Sequence, residues 1–219
     1  MYDKYTIHIF ATIKSKVTIT NTIKNVEIMT TKKISRYSVP AVNETPEDIQ
    51  HILNGAKANL GFIPNVLSAL SHHPDELRAF MAYDNAVMHR EGSNLTDAEK
   101  QLLIVAFSAK NGCIYCVQSH GAQYRIHSGD IRKNEQVTVN HLEADITDRE
   151  KAIIDFAMKV SLNSAAINED DFSVLRLHGL NDEDIWDIAS ITAFYNMSNR
   201  MMSFLKVYPD KEWDTIGRK

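Results

Sequence analysis

An all-α fold is what this sequence predicts, and three observations predict it. From residue 45 onward, apolar residues recur at helical spacing. Two strings, "TDAE" at 96–99 and "TDRE" at 147–150, have the form of capping boxes, in which a threonine and a glutamate satisfy each other's free backbone N–H groups at a helix start. No stretch after residue 45 keeps a period of two, so no strand is expected there. The expectation is a bundle of about seven or eight helices joined by short loops.

The elements follow in chain order. Residues 1–28 are rich in Thr, Ile, Val and Lys and look strand-like. They read as an N-terminal extension or the product of an over-called start, with Met29 opening the more typical text. A short hairpin or arm laid on a neighbouring subunit is the other reading. Residues 29–219 form the helical domain. Thr45 and Pro46 read as an N-cap and a first-turn proline, with Ile49, Ile52, Leu53 and Leu60 behind them. "GFIPNVLSALSHHP" carries a short helix. "PDELRAFMAYDNAVMHREG" puts Leu77, Phe80, Met81, Val87 and Met88 on one face.

Thr96 opens a helix through "KQLLIVAFSAK" that Asn111-Gly112 stops. The next helix runs to about Ile126. Thr147 opens "KAIIDFAMKVSLN", and Asn168 caps a short helix ending near His178-Gly179. Asn181 starts a long last helix that Pro209 ends. The acidic run at 168–171 suits a helix N-terminus rather than a metal site.

Composition narrows the class. With 44% hydrophobic and 24% charged residues, the 219-residue chain can bury a core without covalent staples. Its net charge of −4 argues against nucleic-acid binding, which needs a basic face. No run of about 18 apolar residues suggests a membrane span. The N-terminal "YTIHIFATI" is too short and polar for a secretory signal, so a cytoplasmic location is expected.

Both cysteines of the chain lie in "NGCIYCVQSHGAQ", residues 111–123. On a helix starting after Gly112, Cys113 and Cys116 lie one turn apart, near enough to close a disulfide. The N-terminus of that helix carries partial positive charge, which favours thiolate over thiol. His120, four residues past Cys116, lies on the same stripe and can take or return a proton. The segment thus holds two thiols and a base, enough for thiol peroxidase or disulfide-exchange chemistry. Two other readings stay open. The pair can be part of a metal site completed by His72 or His73, or two small buried apolar residues beside a core histidine.

"LTDAEKQLLIVAFSAKNGCIYCVQSHGA" resembles the core motif of the carboxymuconolactone decarboxylase and AhpD-like superfamily, and most closely its peroxidase-related, alkylhydroperoxidase-like branch. "LGFIPNVLSALSHHPDELRAFMAYDNAVM" and "LHGLNDEDIWDIASITAFYNMSNRM" extend the resemblance over roughly residues 45–208. The resemblance implies an all-α bundle that forms a homo-oligomer, commonly a trimer or hexamer. It implies a thiol-dependent hydroperoxidase-like antioxidant enzyme in which Cys116 attacks a small-molecule hydroperoxide, Cys113 resolves it and His120 belongs to a proton relay. It implies no tightly bound cofactor and no metal. The reductant would be an external thiol or lipoyl-type carrier, so a reductant protein is a candidate partner.

Two positions depart from the family pattern. The relay glutamate twelve residues before the first cysteine is here Gln101, which cannot accept and release a proton. Glu99 lies on another helix face and belongs to the capping box. Asp84, inside an apolar stripe, is the alternative relay or site carboxylate. The second departure is Tyr115, which stands where the pattern has a histidine and either bonds near the site or packs. Tyr195, Asn196, Asn199 and Arg200 line a pocket or satisfy helix ends. Tyr124 and His127 read as packing, and Met197, Met201 and Met202 as core or oligomer interface. The competing functions are a dithiol–disulfide oxidoreductase without major peroxidase activity and a non-catalytic helical assembly protein.

Overall fold

The most apolar run of the sequence becomes the central helix. A computed structural model describes residues 33–218; the extension read at 1–28 and its boundary at residue 29 lie outside the described residues. Nine α-helices and no strand occur among the described residues. They are α1 Glu47–Leu60, α2 Asn65–Leu70, α3 Pro74–Met88, α4 Asp97–Lys110, α5 Ile114–Ser128, α6 Lys133–Asn140, α7 Asp148–Asn163, α8 Glu169–Leu177 and α9 Asp182–Leu205. Short 3-10 turns lie at Val42–Glu44, Ser164–Ala166 and Lys211–Asp214. None of these helices is long and apolar enough to cross a membrane.

Helix α4 is buried without a break from Glu99 to Ser108. A helix apolar on all sides must be enclosed on all sides, and α5, α6, α7 and α9 pack around it. Thr96 Oγ1 accepts from Glu99 N, while Glu99 Oε2 accepts from Thr96 N at 2.8 Å, so the expected capping box forms. The buried Lys100 Nζ donates to Met88 O at 2.8 Å, placing a cation where α3 exposes its last carbonyls. The boxes at Thr147, Asn168 and Asn181 form as well.

Apolar side chains gather in two clusters. The larger joins α4, α7 and α9 around Phe107, Ile154 and Ile188. The smaller joins α1, α2 and α3 to the start of α5, and it contains Cys113, Tyr115 and Cys116 together with Ile49, Leu53 and Leu77. Phe80 of α3 packs against both.

Three details differ from the sequence expectation. The ninth helix is α6, whose "KNEQVTVN" has no apolar stripe and buries only Asn134 and Val137; its packing on α4 and α5 holds it in place. Helix α1 starts one residue late, because Thr45 Oγ1 donates back to Val42 O at 2.7 Å and Pro46 takes the cap position. Helix α9 ends at Leu205, before Pro209. Lys206 turns left-handed there, and Ser35 Oγ and Arg36 N cover the carbonyl of Leu205.

Candidate active site

The turn between α4 and α5 places both cysteines. Gly112 N donates to Ala109 O and Cys113 N to Ser108 O, the paired bonds that close a helix over a left-handed residue. Gly112, with φ of 70°, supplies that residue. The chain is then aimed so that Cys113 becomes the N-cap of α5, its Sγ accepting from Cys116 N at 3.3 Å. Asn111 Nδ2 pins the turn to α9 through Asn196 Oδ1 and Asn199 Oδ1, both at 2.9 Å. Asn196 and Asn199 therefore serve a helix end and lie outside the pocket. Arg200 bonds Asn196.

Cys113 and Cys116 are joined by a disulfide, with Cα atoms 5.4 Å apart. Both are about 2% exposed, so the bond lies under the surface. Cys116 lines a cavity of about 190 Å³, whereas Cys113 does not. Also on its wall are Tyr115, His120, Asp84, Tyr195 and Trp213. The expected constellation of Cys116, His120 and Asp84 is thus gathered around one space, with Cys113 behind it.

His120 Nδ1 lies 2.7 Å from Gln101 Oε1. An amide oxygen only accepts, so Nδ1 carries the hydrogen and Nε2 is left with its lone pair. Gln101, at the sequence position where the family pattern has a glutamate, thus meets the histidine as a fixed acceptor. Glu99 is committed elsewhere, to its cap and to Arg149 Nε at 2.6 Å. Burial pushes the His120 imidazole from its ordinary 6.5 down to about 3, so the ring is neutral.

That depression has a measurable consequence. Between the folded and unfolded values, the unfolded chain binds the extra proton. The His120 contribution to stability is therefore full above about pH 6.5 and is lost as the pH falls toward about 3. The urea midpoint of the oxidised protein should fall across that window, and His120→Gln should make the fall shallower. An unchanged pH dependence in the variant would contradict the assignment.

Tyr115 contributes its ring to the cavity, but its hydroxyl is engaged away from the sulfurs. It donates to Asp210 Oδ2 and accepts from Val66 N, both at 3.2 Å. Burial and Asp210 raise its pKa well above the ordinary 10, so it stays a neutral phenol. Asp210 also accepts from Asn65 N and Trp213 Nε1, which seats the Lys211–Asp214 turn beside the cavity. Arg125 of α5 holds the same turn through Trp213 O at 2.6 Å and Ile216 O at 3.0 Å. Trp213 was not identified from sequence: a short 3-10 turn near a chain end has no periodic signal.

The remaining candidates separate. His72 Nδ1 pairs with Ser38 O at 3.1 Å. No group of three His, Cys, Asp or Glu side chains is arranged to hold a metal among the described residues. Tyr124 is buried in the core as expected, but His127 is exposed beside Asp97 rather than packed. Met202 lines the cavity. Met197 and Met201 line a separate apolar groove of about 510 Å³.

Comparison with known proteins places this geometry. The model of the Carboxymuconolactone decarboxylase family matches residues 74–130, from the start of α3 to just past α5. An uncharacterised peroxidase-related protein of Ralstonia eutropha JMP134, described as an alkylhydroperoxidase AhpD core, is 46% identical, with a TM-score of 0.84 over 85% of this chain and 98% of that one. An uncharacterised peroxidase-related protein of Silicibacter sp. TM1040 is 36% identical, with a TM-score of 0.79 over 87% of this chain and 100% of that one. The debrominase Bmp8 shares the fold, at 19% identity and a TM-score of 0.67 over 85% of this chain and 96% of that one. No match was found among the curated proteins. The chain belongs to the carboxymuconolactone decarboxylase superfamily, in its AhpD-like, peroxidase-related branch.

Proposed function

We propose that this protein reduces hydroperoxides through the Cys113–Cys116 dithiol, with an external dithiol as reductant. The observation that carries the reading is the placement of the sulfurs: Cys116 opens onto the cavity, and Cys113 is bonded to it from behind. In the reduced protein, the Cys116 thiolate attacks the terminal peroxide oxygen. An S–O bond forms, the O–O bond breaks, and the leaving alkoxide takes a proton to become alcohol. The Cys113 thiolate then attacks the Cys116 sulfenic acid; the S–S bond forms, the S–O bond breaks, and protonated hydroxide leaves as water. One hydroperoxide and two thiols thus give one alcohol, one water and one disulfide. A dithiol such as a lipoyl group reverses the disulfide by two exchange steps. His120, with its free Nε2, moves the thiol proton. Assembly into a trimer or hexamer belongs to the same reading and rests on family membership.

A second reading is favoured by one observation. Gln101 against His120 cannot carry a proton, so peroxide cleavage is slowed relative to plain thiol–disulfide exchange. Gln101→Glu distinguishes the two. A carboxylate beside Nδ1 would raise the imidazole's pKa, making Nε2 a stronger base. Single-turnover oxidation by cumene hydroperoxide should then quicken by about tenfold, less than the ~10²–10⁴-fold of a complete general-base effect because only the strength of an existing base changes. An unchanged rate would remove position 101 from the account. The function itself is tested by hydroperoxide consumption with dihydrolipoamide as reductant. Turnover above the protein-free rate supports peroxidase activity. Exchange with dihydrolipoamide but no peroxide loss leaves the oxidoreductase reading.

A further inference from the structure

We propose that Asp84 is a second catalytic group of this cavity, a carboxyl that carries the Cys116 thiol proton to the leaving alkoxide, and that Tyr195 positions it. The inference rests on the hydroperoxide reading above. It assigns to α3 the part that Gln101 on α4 cannot play.

Four observations converge. Asp84 and Tyr195 both line the cavity that Cys116 and His120 line. Tyr195 Oη donates to Asp84 Oδ1 at 2.5 Å, across 111 residues of sequence. The Tyr195 ring stands edge-to-face with His120, centroids 4.6 Å apart, so the carboxyl's partner touches the relay histidine. Asp84 caps no helix and pairs with no lysine or arginine among the described residues, whereas Asp48, Asp171 and Asp187 each do so. A carboxyl placed beside Phe80 and Met81 without a countercharge is costly to ionise.

Among the described residues, the groups facing Asp84 are few. From α9 there is Tyr195, and from α5 the cavity-lining Cys116, His120 and Tyr115. His89 lies past the end of its own helix. The cavity residues from α1 and α2, Leu60, Val66 and Leu67, carry no charge. Burial raises the Asp84 pKa above the ordinary carboxylate value, while the Tyr195 bond and His89 pull it partly back. Tyr195 is itself raised well above 10 and remains a donor.

The step balances. The S–H bond of Cys116 breaks and its proton passes by way of His120 Nε2 to the Asp84 carboxylate. The S–O bond forms as the O–O bond breaks, and the carboxylic acid returns the proton to the alkoxide. Asp84 ends as it began.

The test compares reduced wild type, Asp84→Asn, Asp84→Glu and Tyr195→Phe from about pH 4 to pH 9, spanning carboxyl and thiol titration. Two rates are read: alkylation of Cys116 by iodoacetamide and single-turnover oxidation by cumene hydroperoxide. In wild type both profiles should carry an inflection above the ordinary carboxylate range. Asp84→Asn should remove it and slow oxidation by about 10–100-fold. Asp84→Glu should restore part of the rate. Tyr195→Phe, having lost the bond that lowers the Asp84 pKa, should move the inflection to higher pH, which a packing role would not do. A variant Asp84→Asn that oxidises within about twofold of wild type, with superimposable profiles, overturns the proposal. If that variant does not fold, an unmoved inflection in Tyr195→Phe overturns it equally. Failure of the hydroperoxide reading looks different: wild type resists peroxide while its alkylation profile keeps an inflection that Asp84→Asn removes.

Discussion

Replacing Cys116 with serine should lower single-turnover oxidation by hydroperoxide about 10³-fold or more, because removal of a nucleophile removes the bond-forming step itself. The cavity should survive the change. Serine fills nearly the same volume, and the cap of α5 is made by Cys113 Sγ and the backbone N–H of residue 116. Cys113→Ser should behave differently. The first oxidation proceeds at Cys116, no disulfide follows, and a dimedone adduct forms at Cys116. The asymmetry follows from the wall of the cavity, which includes one sulfur and not the other. If Cys113→Ser were as dead as Cys116→Ser, or the dimedone adduct formed at Cys113, the roles would be reversed.

The second large effect is on stability. Phe107 is fully buried in α4, within the cluster that joins α4, α7 and α9. Removing its ring costs the lost transfer energy and leaves a cavity that three packed helices cannot close, so Phe107→Ala should destabilise by about 3–5 kcal/mol. The urea midpoint should drop with an unchanged slope. A loss below about 1 kcal/mol would mean that α4 is not the central helix. The change also reaches the site, since the neighbouring Ser108 carbonyl accepts the Cys113 N–H that fixes the α4–α5 turn.

The parts of the fold legible in sequence share a physical property: their signal is local. The Thr96–Glu99 and Thr147–Glu150 boxes are complete within four residues, and the stop at Asn111-Gly112 needs only the left-handed glycine. Helix α6 had no such signal because contacts with other helices hold it. Thr45 misled because its hydroxyl turned back to Val42.

The site divides the same way. Cys113, Cys116 and His120 share one helix and its cap, so spacing places them, and family resemblance suggests the roles proposed for them. Gln101 is found by its distance from the first cysteine. Asp84 is visible as an oddity in an apolar stripe, but its partner on α9 is not, and Trp213 reaches the cavity only because Asp210 and Arg125 hold the turn that carries it.

The most direct test of the account treats the fully reduced wild-type protein with one equivalent of cumene hydroperoxide and follows it by mass spectrometry. The account predicts loss of two hydrogens within the first minutes and a Cys113–Cys116 disulfide in the peptide map, with cumyl alcohol as the product. Both cysteines remaining reduced and alkylatable, with the hydroperoxide intact, would contradict it.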